Sequence, residues 1–467
     1  MMARIRIIGG GLAGSECALV LAQRGHHVEL VEMRPAVRTP AHHSDHLAEL
    51  VCSNSFRSTA PTNAVGLLKA ELEILGSPIM EIASQARIPA GDAFAVDRDR
   101  FSSFVTERVA SQKLISVIRN EATSLECDGF DYLVVATGPL TSQRLYDAIH
   151  ARLGDDGLYF YDAIAPIVAA DSLDFSKLYW KSRYDKGGSR DYLNAPMSRE
   201  QYEAFIAALL EAELYPLHDF ENAVHFEGCL PVEEIASRGI DTLRYGPMKP
   251  VGLEHPETGE QPWAVVQLRK EDLSDDYFNL VGFQTKMKIP DQKRLLQMIP
   301  GLENCAVARW GSMHRNTFLN GPTHLDNLFR LKSDPQIFFA GQITGVEGYL
   351  ESAATGHLTA RYIDALATSG SAEPFPYRTA IGALGRHVTE SSPERYQPSN
   401  VTWALIEDAA TYVRNKKKRK DARVEIALET IRAIASSDRG KEAYGAAVPD
   451  AGAGALSSSS SSIGSAK

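Results

Sequence analysis

Between Arg4 and Glu32 the chain spells out a strand, a glycine-rich turn, a helix and a second strand, and few folds accommodate that order. Ile5, Ile7 and Ile8 form a short apolar run suited to a buried parallel strand. Gly9, Gly11 and Gly14 follow with G-x-G-x-x-G spacing. The first glycine permits a tight turn, the second lets a diphosphate approach the backbone, and the third lets helix pack on strand. Ala13 to Arg24 reads as a helix with Cys17, Val20 and Leu21 on one stripe, and Gly25 stops it. Val28 to Val31 is a second strand, and it closes on Glu32. A carboxylate at that point accepts ribose hydroxyls and repels a 2′-phosphate. The backbone of Gly9, Gly10, Gly11, Leu12, Ala13 and Gly14, at the head of the helix, suits the diphosphate itself. The pattern is that of a dinucleotide-binding domain; a glycine-rich loop in a ligand-free α/β domain is the competing reading.

At 467 residues the chain is expected to hold two domains and a tail. Its 44% hydrophobic and 23% charged content can bury large cores. No apolar run reaches the ~18 residues of a membrane span, and the N-terminus runs straight into an apolar strand, so no signal peptide is expected. Cys17, Cys52, Cys127, Cys229 and Cys305 are an odd, scattered set without C-x-x-C pairs. That argues for a reducing compartment, hence a cytoplasmic protein, and against a zinc site. His42 and His46, with Asp45 between them, fit an open loop better than a metal set, so no metal is expected. A net charge of −10 requires any RNA partner to be held by a local basic patch.

Further along, helices are expected at 64–75, ended by Gly76, and at 99–111, with strands at 114–118 and 131–138. From about 161 to 300 the βα rhythm is lost. There Lys177, Lys181, Arg183, Lys186 and Arg190 surround Tyr179, Trp180, Tyr184 and Tyr192. Such a cluster can bind phosphates and stack bases, or simply be a solvated face, and spacing leaves both open. The α/β texture returns with a strand at 336–341, a turn bearing Gly341, Gly345 and Gly348, and a helix carrying Glu351. This second anion-receptive turn lies too far from the first for a simple NAD domain. FAD, gripped at both places, fits. No second fingerprint follows, so NADPH or NADH as reductant would lack a Rossmann domain of its own. A helix over 402–430 carries Arg414 to Lys420, including Lys416, Lys417 and Lys418, the most basic run in the chain. It is either a footprint for a polyanion or a solvated helix end. The organisation expected is a discontinuous FAD-binding domain at 1–165 and 301–440, an insertion at 166–300 for the substrate, and a disordered tail at 441–467.

Several longer motifs carry a family resemblance. They are Ile7-Ile-Gly-Gly-Gly-Leu-Ala-Gly-Ser-Glu16, Leu47-Ala-Glu-Leu-Val-Cys-Ser-Asn-Ser55, Phe226-Glu-Gly-Cys-Leu-Pro-Val-Glu-Glu234, Leu243-Arg-Tyr-Gly-Pro-Met-Lys-Pro-Val-Gly252, Trp310-Gly-Ser-Met-His-Arg-Asn-Thr317 and Gly341-Gln-Ile-Thr-Gly-Val-Glu-Gly-Tyr-Leu-Glu-Ser-Ala353–Ala354. Over roughly residues 3 to 435 the chain resembles the folate- and FAD-dependent tRNA (uracil-5-)-methyltransferases, the TrmFO family. The resemblance implies an α/β fold: a glutathione-reductase-like FAD-binding Rossmann domain with an inserted α+β domain. It implies transfer of a one-carbon unit from 5,10-methylenetetrahydrofolate to C5 of the T-loop uridine of tRNA (position 54), with reduced FAD as methylene carrier and reductant, recharged by NADPH or NADH. Cys52 and Cys229 are then the catalytic thiols. Cys229 as nucleophile and Cys52 as base is the favoured assignment, and the reverse stays open. Arg57 would assist Cys52 if it folded back. Folate/FAD-dependent methylation of a ribosomal RNA uridine and an RNA-independent NAD(P)H:FAD oxidoreductase are the competing activities.

Overall fold

The computed structural model describes residues 2–39, 41–154, 158–185, 191–215, 230–272 and 274–445. In chain order, β1 (Arg4–Ile8), α1 (Leu12–Gln23) and β2 (His27–Glu32) form the opening unit, followed by α2 (Ala64–Leu75), β3 (Ile115–Arg119) and β4 (Tyr132–Val135). A second sheet is drawn from β5 (Ile167–Ala169), β6 (Tyr179–Trp180), β7 (Tyr192–Met197), β8 (Ala264–Lys270), β9 (Tyr277–Leu280) and β10 (Val307–Arg309), so it runs past the expected insertion boundary at 300, because Val307 pairs with Val168. The chain then returns through β11 (Arg330–Leu331), β12 (Asp334–Phe339), α3 (Tyr349–Ser369) and α4 (Lys416–Gly445).

One sheet has the order β11-β12-β4-β1-β2-β3 and is parallel except at its β11 edge. β1, its apolar residues buried, lies between β2 and β4, so its carboxyl end, where Gly9 begins the turn, opens at the middle of the sheet. That is where α/β sheets bind ligands. The second sheet, β6-β7-β8-β9-β5-β10, is antiparallel throughout. Each sheet has its own apolar core: one built on residues such as Ile7, Leu133, Phe338, Leu358 and Ile431, the other on Val168, Leu193, Phe205, Leu268 and Phe278.

A buried pair joins α1 to α3. Glu16 Oε2 accepts the Ile79 N–H at 2.9 Å, and Oε1 lies 2.8 Å from His357 Nδ1. Burial pulls the His357 pKa down despite Glu16, so the ring is read as neutral and donating from Nδ1.

The C-terminal helix begins later than the expected 402. Residues 402–415 form turns, because Asn415 caps the helix: its Oδ1 accepts the Lys418 N–H at 3.1 Å. Trp403, in those turns, lies under Arg423 at 4.7 Å and Lys420 at 5.6 Å. The helix continues to Gly445, past the expected boundary at 440. The remainder of the tail, 446–467, lies outside the described residues.

Candidate functional site

The three fingerprint glycines do different work. Gly9 has φ +104°, and a Cβ there would sit 2.5 Å from the Ala136 carbonyl oxygen. A Cβ on Gly14 would run into the carbonyl oxygen of Gly9, so this glycine sets how closely α1 approaches the β1 turn. Gly11 differs: a Cβ would meet no atom within 4 Å. No neighbour among the described residues requires glycine there, and the bare backbone faces open space as a diphosphate site demands. Gly9, Gly11, Glu32, Arg34 and Thr137 line the adjoining pocket.

Glu32 is buried at the end of β2. Oε2 accepts the Gly10 N–H at 2.9 Å, while Oε1 accepts Arg34 N–H at 3.0 Å and Nε–H at 2.8 Å. Burial alone would raise its pKa; Arg34, and then Gly10, outweigh it and hold the group ionised below the usual carboxylate range. A carboxylate carries about four acceptor positions, so capacity remains for a ribose.

The second glycine turn folds onto the same helix. A Cβ on Gly341 (φ +82°) would sit 2.8 Å from Ala13 Cβ, and one on Gly356 would strike the Ala13 carbonyl. The two remote glycine segments therefore meet at Ala13, and the residues fit one extended dinucleotide held at both. Gly348 is the N-cap of α3, and Gly345 lies beneath Tyr396. Glu351 is fully buried: Oε1 pairs with Arg57 and accepts the Val401 N–H at 3.0 Å, and Oε2 has no partner among the described residues.

Cys52 sits in a half-buried loop hung from the start of α3. Its N–H and that of Ser53 donate to Tyr349 Oη at 2.7 and 2.9 Å. Asn54 Nδ2 donates to the Lys270 carbonyl at 2.9 Å, tying the loop to the end of β8. Arg57 does not fold back toward Cys52, because that side chain is committed to Glu351. Arg98 and Arg309 lie within electrostatic reach of the thiol instead. Burial works against the Arg98 charge, but Glu271, then Tyr349 and Cys52, hold its pKa above the ordinary value. Burial, then repulsion from Arg98, pulls Arg309 down, with Tyr349 and Cys52 opposing. Arg98 donates to the Leu50 carbonyl at 3.2 Å, and its buried Nη2 has no partner among the described residues. Arg98, Arg309 and Tyr349 carry no sequence motif linking them to Cys52. Cys229 lies outside the described residues, as do Lys186 and Arg190.

Of the basic residues named from sequence, Lys416, Lys417 and Lys418 are exposed on the first turn of α4. Lys181 and Arg183 turn inward instead. Lys181 Nζ donates to the Glu254 carbonyl at 3.0 Å and pairs with its carboxylate at 3.2 Å. Arg183 donates to the carbonyls of Val251 and Lys249 and to Gln267.

A parallel sheet, a fingerprint turn at the head of α1 and a second glycine turn on the same helix define an FAD-binding α/β protein of the Rossmann class. The family model described as Glucose inhibited division protein A matches residues 4–370. A Geobacter sulfurreducens protein named methylenetetrahydrofolate--tRNA-(uracil-5-)-methyltransferase TrmFO is 53% identical over 438 residues, covering 94% of this chain and 99% of that one. The Bacillus subtilis protein of the same name is 48% identical, covering 93% and 99%. The chain belongs to the TrmFO family. Among solved structures, Aquifex aeolicus GidA shares the fold with a TM-score of 0.63 at 16% identity, over 95% of this chain and 77% of that one.

Proposed function

We propose that this protein transfers a one-carbon unit from 5,10-methylenetetrahydrofolate to C5 of the T-loop uridine at position 54 of tRNA, in the cytoplasm, with NADPH or NADH as the source of electrons. One observation carries the reading beyond FAD binding. Tyr349, the residue that follows the second glycine turn, holds the Cys52 loop through two backbone N–H groups. The thiol is thereby tied to the flavin side of the cradle. When bound, FAD supplies the reducing equivalents and carries the one-carbon unit.

The protein's own residues supply the rest. Gly9 to Gly14 and Glu32 hold the adenosine and diphosphate, and Gly341 to Gly348 the flavin side. One thiolate adds to C6 of uracil, which makes C5 nucleophilic; the other removes the C5 proton so that the first can leave. Cys229 as nucleophile and Cys52 as base is the assignment adopted. 5-Methyluridine should form in T-arm RNA only when methylenetetrahydrofolate and NAD(P)H are both supplied. Product in a ribosomal RNA fragment and none in the T arm would favour the ribosomal alternative, and turnover independent of RNA would favour the oxidoreductase.

Lys416, Lys417 and Lys418 are assigned to tRNA phosphates. Cations in the first turn of a helix oppose its dipole, so this placement gains nothing within the protein. Replacing all three by glutamine should weaken RNA binding and lower the salt slope by up to ~1 per lost contact, leaving flavin reduction intact. An unchanged slope would return the run to a solvated helix end.

A further inference from the structure

Lys181 and Arg183 spend their charges on residues 249–254, and between that loop and β6 stands a ring held out to solvent. Tyr184 has φ +59° and ψ 28°, the left-handed conformation that is strained for a non-glycine residue. Its N–H donates to the Gly252 carbonyl at 3.1 Å. Gly252 is itself left-handed, and a Cβ there would lie 2.7 Å from Tyr184 Cδ1. Arg183 anchors the loop beneath through two hydrogen bonds and ties to Gln267 on β8 through a third, and Lys181 holds the loop through Glu254. All of this supports a side chain that remains 55% exposed. Strain and an inward-turned guanidinium serve no core here, because the ring they position is not in one.

Its place in the fold matters. The Lys181 N–H donates to the Tyr192 carbonyl at 3.0 Å, and Tyr192 is opposite Arg269 on β8. The next residue, Lys270, gives its carbonyl to Asn54 in the Cys52 loop. At the same end of the sheet, Asp191 accepts the Gly91 N–H at 2.6 Å. Tyr184 thus follows the strand end that abuts the Cys52 side of the molecule.

We propose that Tyr184 is a stacking platform for an unpaired nucleobase of the RNA substrate, an inference that rests on the RNA reading above. Chemistry at C5 of uracil needs the target base out of its stack. The nucleotides left behind lose a stacking partner, and an exposed aromatic ring replaces it for any base. A stacking contact needs no free charge from Lys181 or Arg183, both of which are committed within the protein.

The test is Tyr184→Gly and Tyr184→Asn, both of which tolerate the left-handed backbone, beside Tyr184→Phe. With T-arm RNA, the first two should lose about 5- to 150-fold in affinity at an unchanged salt slope, and Tyr184→Phe should bind like wild type. In methylation assays KM for RNA should rise while kcat holds. Wild-type protein that does not bind RNA overturns both the function and the platform. Wild-type binding matched by a folded Tyr184→Gly or Tyr184→Asn overturns the platform alone, and leaves the ring for a protein partner. A fall in salt slope would make it a charge contact and equally overturn stacking.

Discussion

Replacing Cys52 by alanine should reduce 5-methyluridine formation by at least about 10²-fold, the lower end of what a positioned base contributes, while FAD stays bound and reducible by NAD(P)H. The loop should survive the change. Tyr349 holds it through the N–H groups of Cys52 and Ser53, and Asn54 through a side-chain amide, none of which involves the thiol. The loss is therefore chemical. A uracil C5 adds to an electrophilic carbon only after a thiolate has saturated C6, and the product forms only when a base takes the C5 proton. The half-buried Cys52 sits in the field of the Arg98 and Arg309 guanidinium groups. Cys229→Ala should be as inactive, and RNA containing 5-fluorouridine separates the two. Fluorine at C5 cannot leave as a proton does, so the C6–sulfur adduct accumulates. Cys52→Ala should still form it and Cys229→Ala should not. An adduct persisting in Cys229→Ala reverses the roles, and substantial methylation by both single variants sinks the two-thiol chemistry.

What could be read from sequence was local. Residues 4–32 declare their fold because strand, glycine turn, helix and second strand follow one another without interruption, and Gly76 ends α2 by its own backbone (φ +77°). The long-range part was legible only as an inference. Nothing in the residues around Gly341 names Ala13 as the neighbour, yet a ligand too large for one turn requires the two to meet. Side-chain partners were not legible at all. The basic spacing of Lys181 and Arg183 looked available for phosphate because their acceptors are mostly backbone carbonyls seventy residues on, and carbonyls have no sequence signature. Arg57 is nearest Cys52 in sequence, but a buried carboxylate, Glu351, takes it; Arg98 and Arg309 arrive from distant segments. The late start of α4 is marked in the sequence by Asn415, a strong N-cap, but the helix-forming lysines that follow it conceal the signal.

The fingerprint glycines should separate folding from cofactor binding. Gly11→Ala should leave the protein folded, because φ −73° suits any residue and its Cβ meets nothing. The position is the N-cap of α1, where exchanging glycine for alanine costs at most about 1 kcal/mol. FAD affinity should nevertheless fall about 10- to 100-fold, since the methyl group occupies the space through which a diphosphate reaches the backbone. Gly14→Ala should do the opposite. Its methyl group is aimed at the Gly9 carbonyl oxygen, and backbone cannot rotate away as a side chain can. Either α1 lifts from the sheet or the Gly9 turn opens, at about 1–3 kcal/mol or more. Thermal melting of each variant, with and without added FAD, distinguishes the outcomes. Gly11→Ala should melt near wild type without FAD and gain little when it is added; Gly14→Ala should melt low in both. A Gly11→Ala protein that binds FAD with undiminished affinity would show that the diphosphate does not pass over this residue, and the adenosine side of the cradle would have to be redrawn.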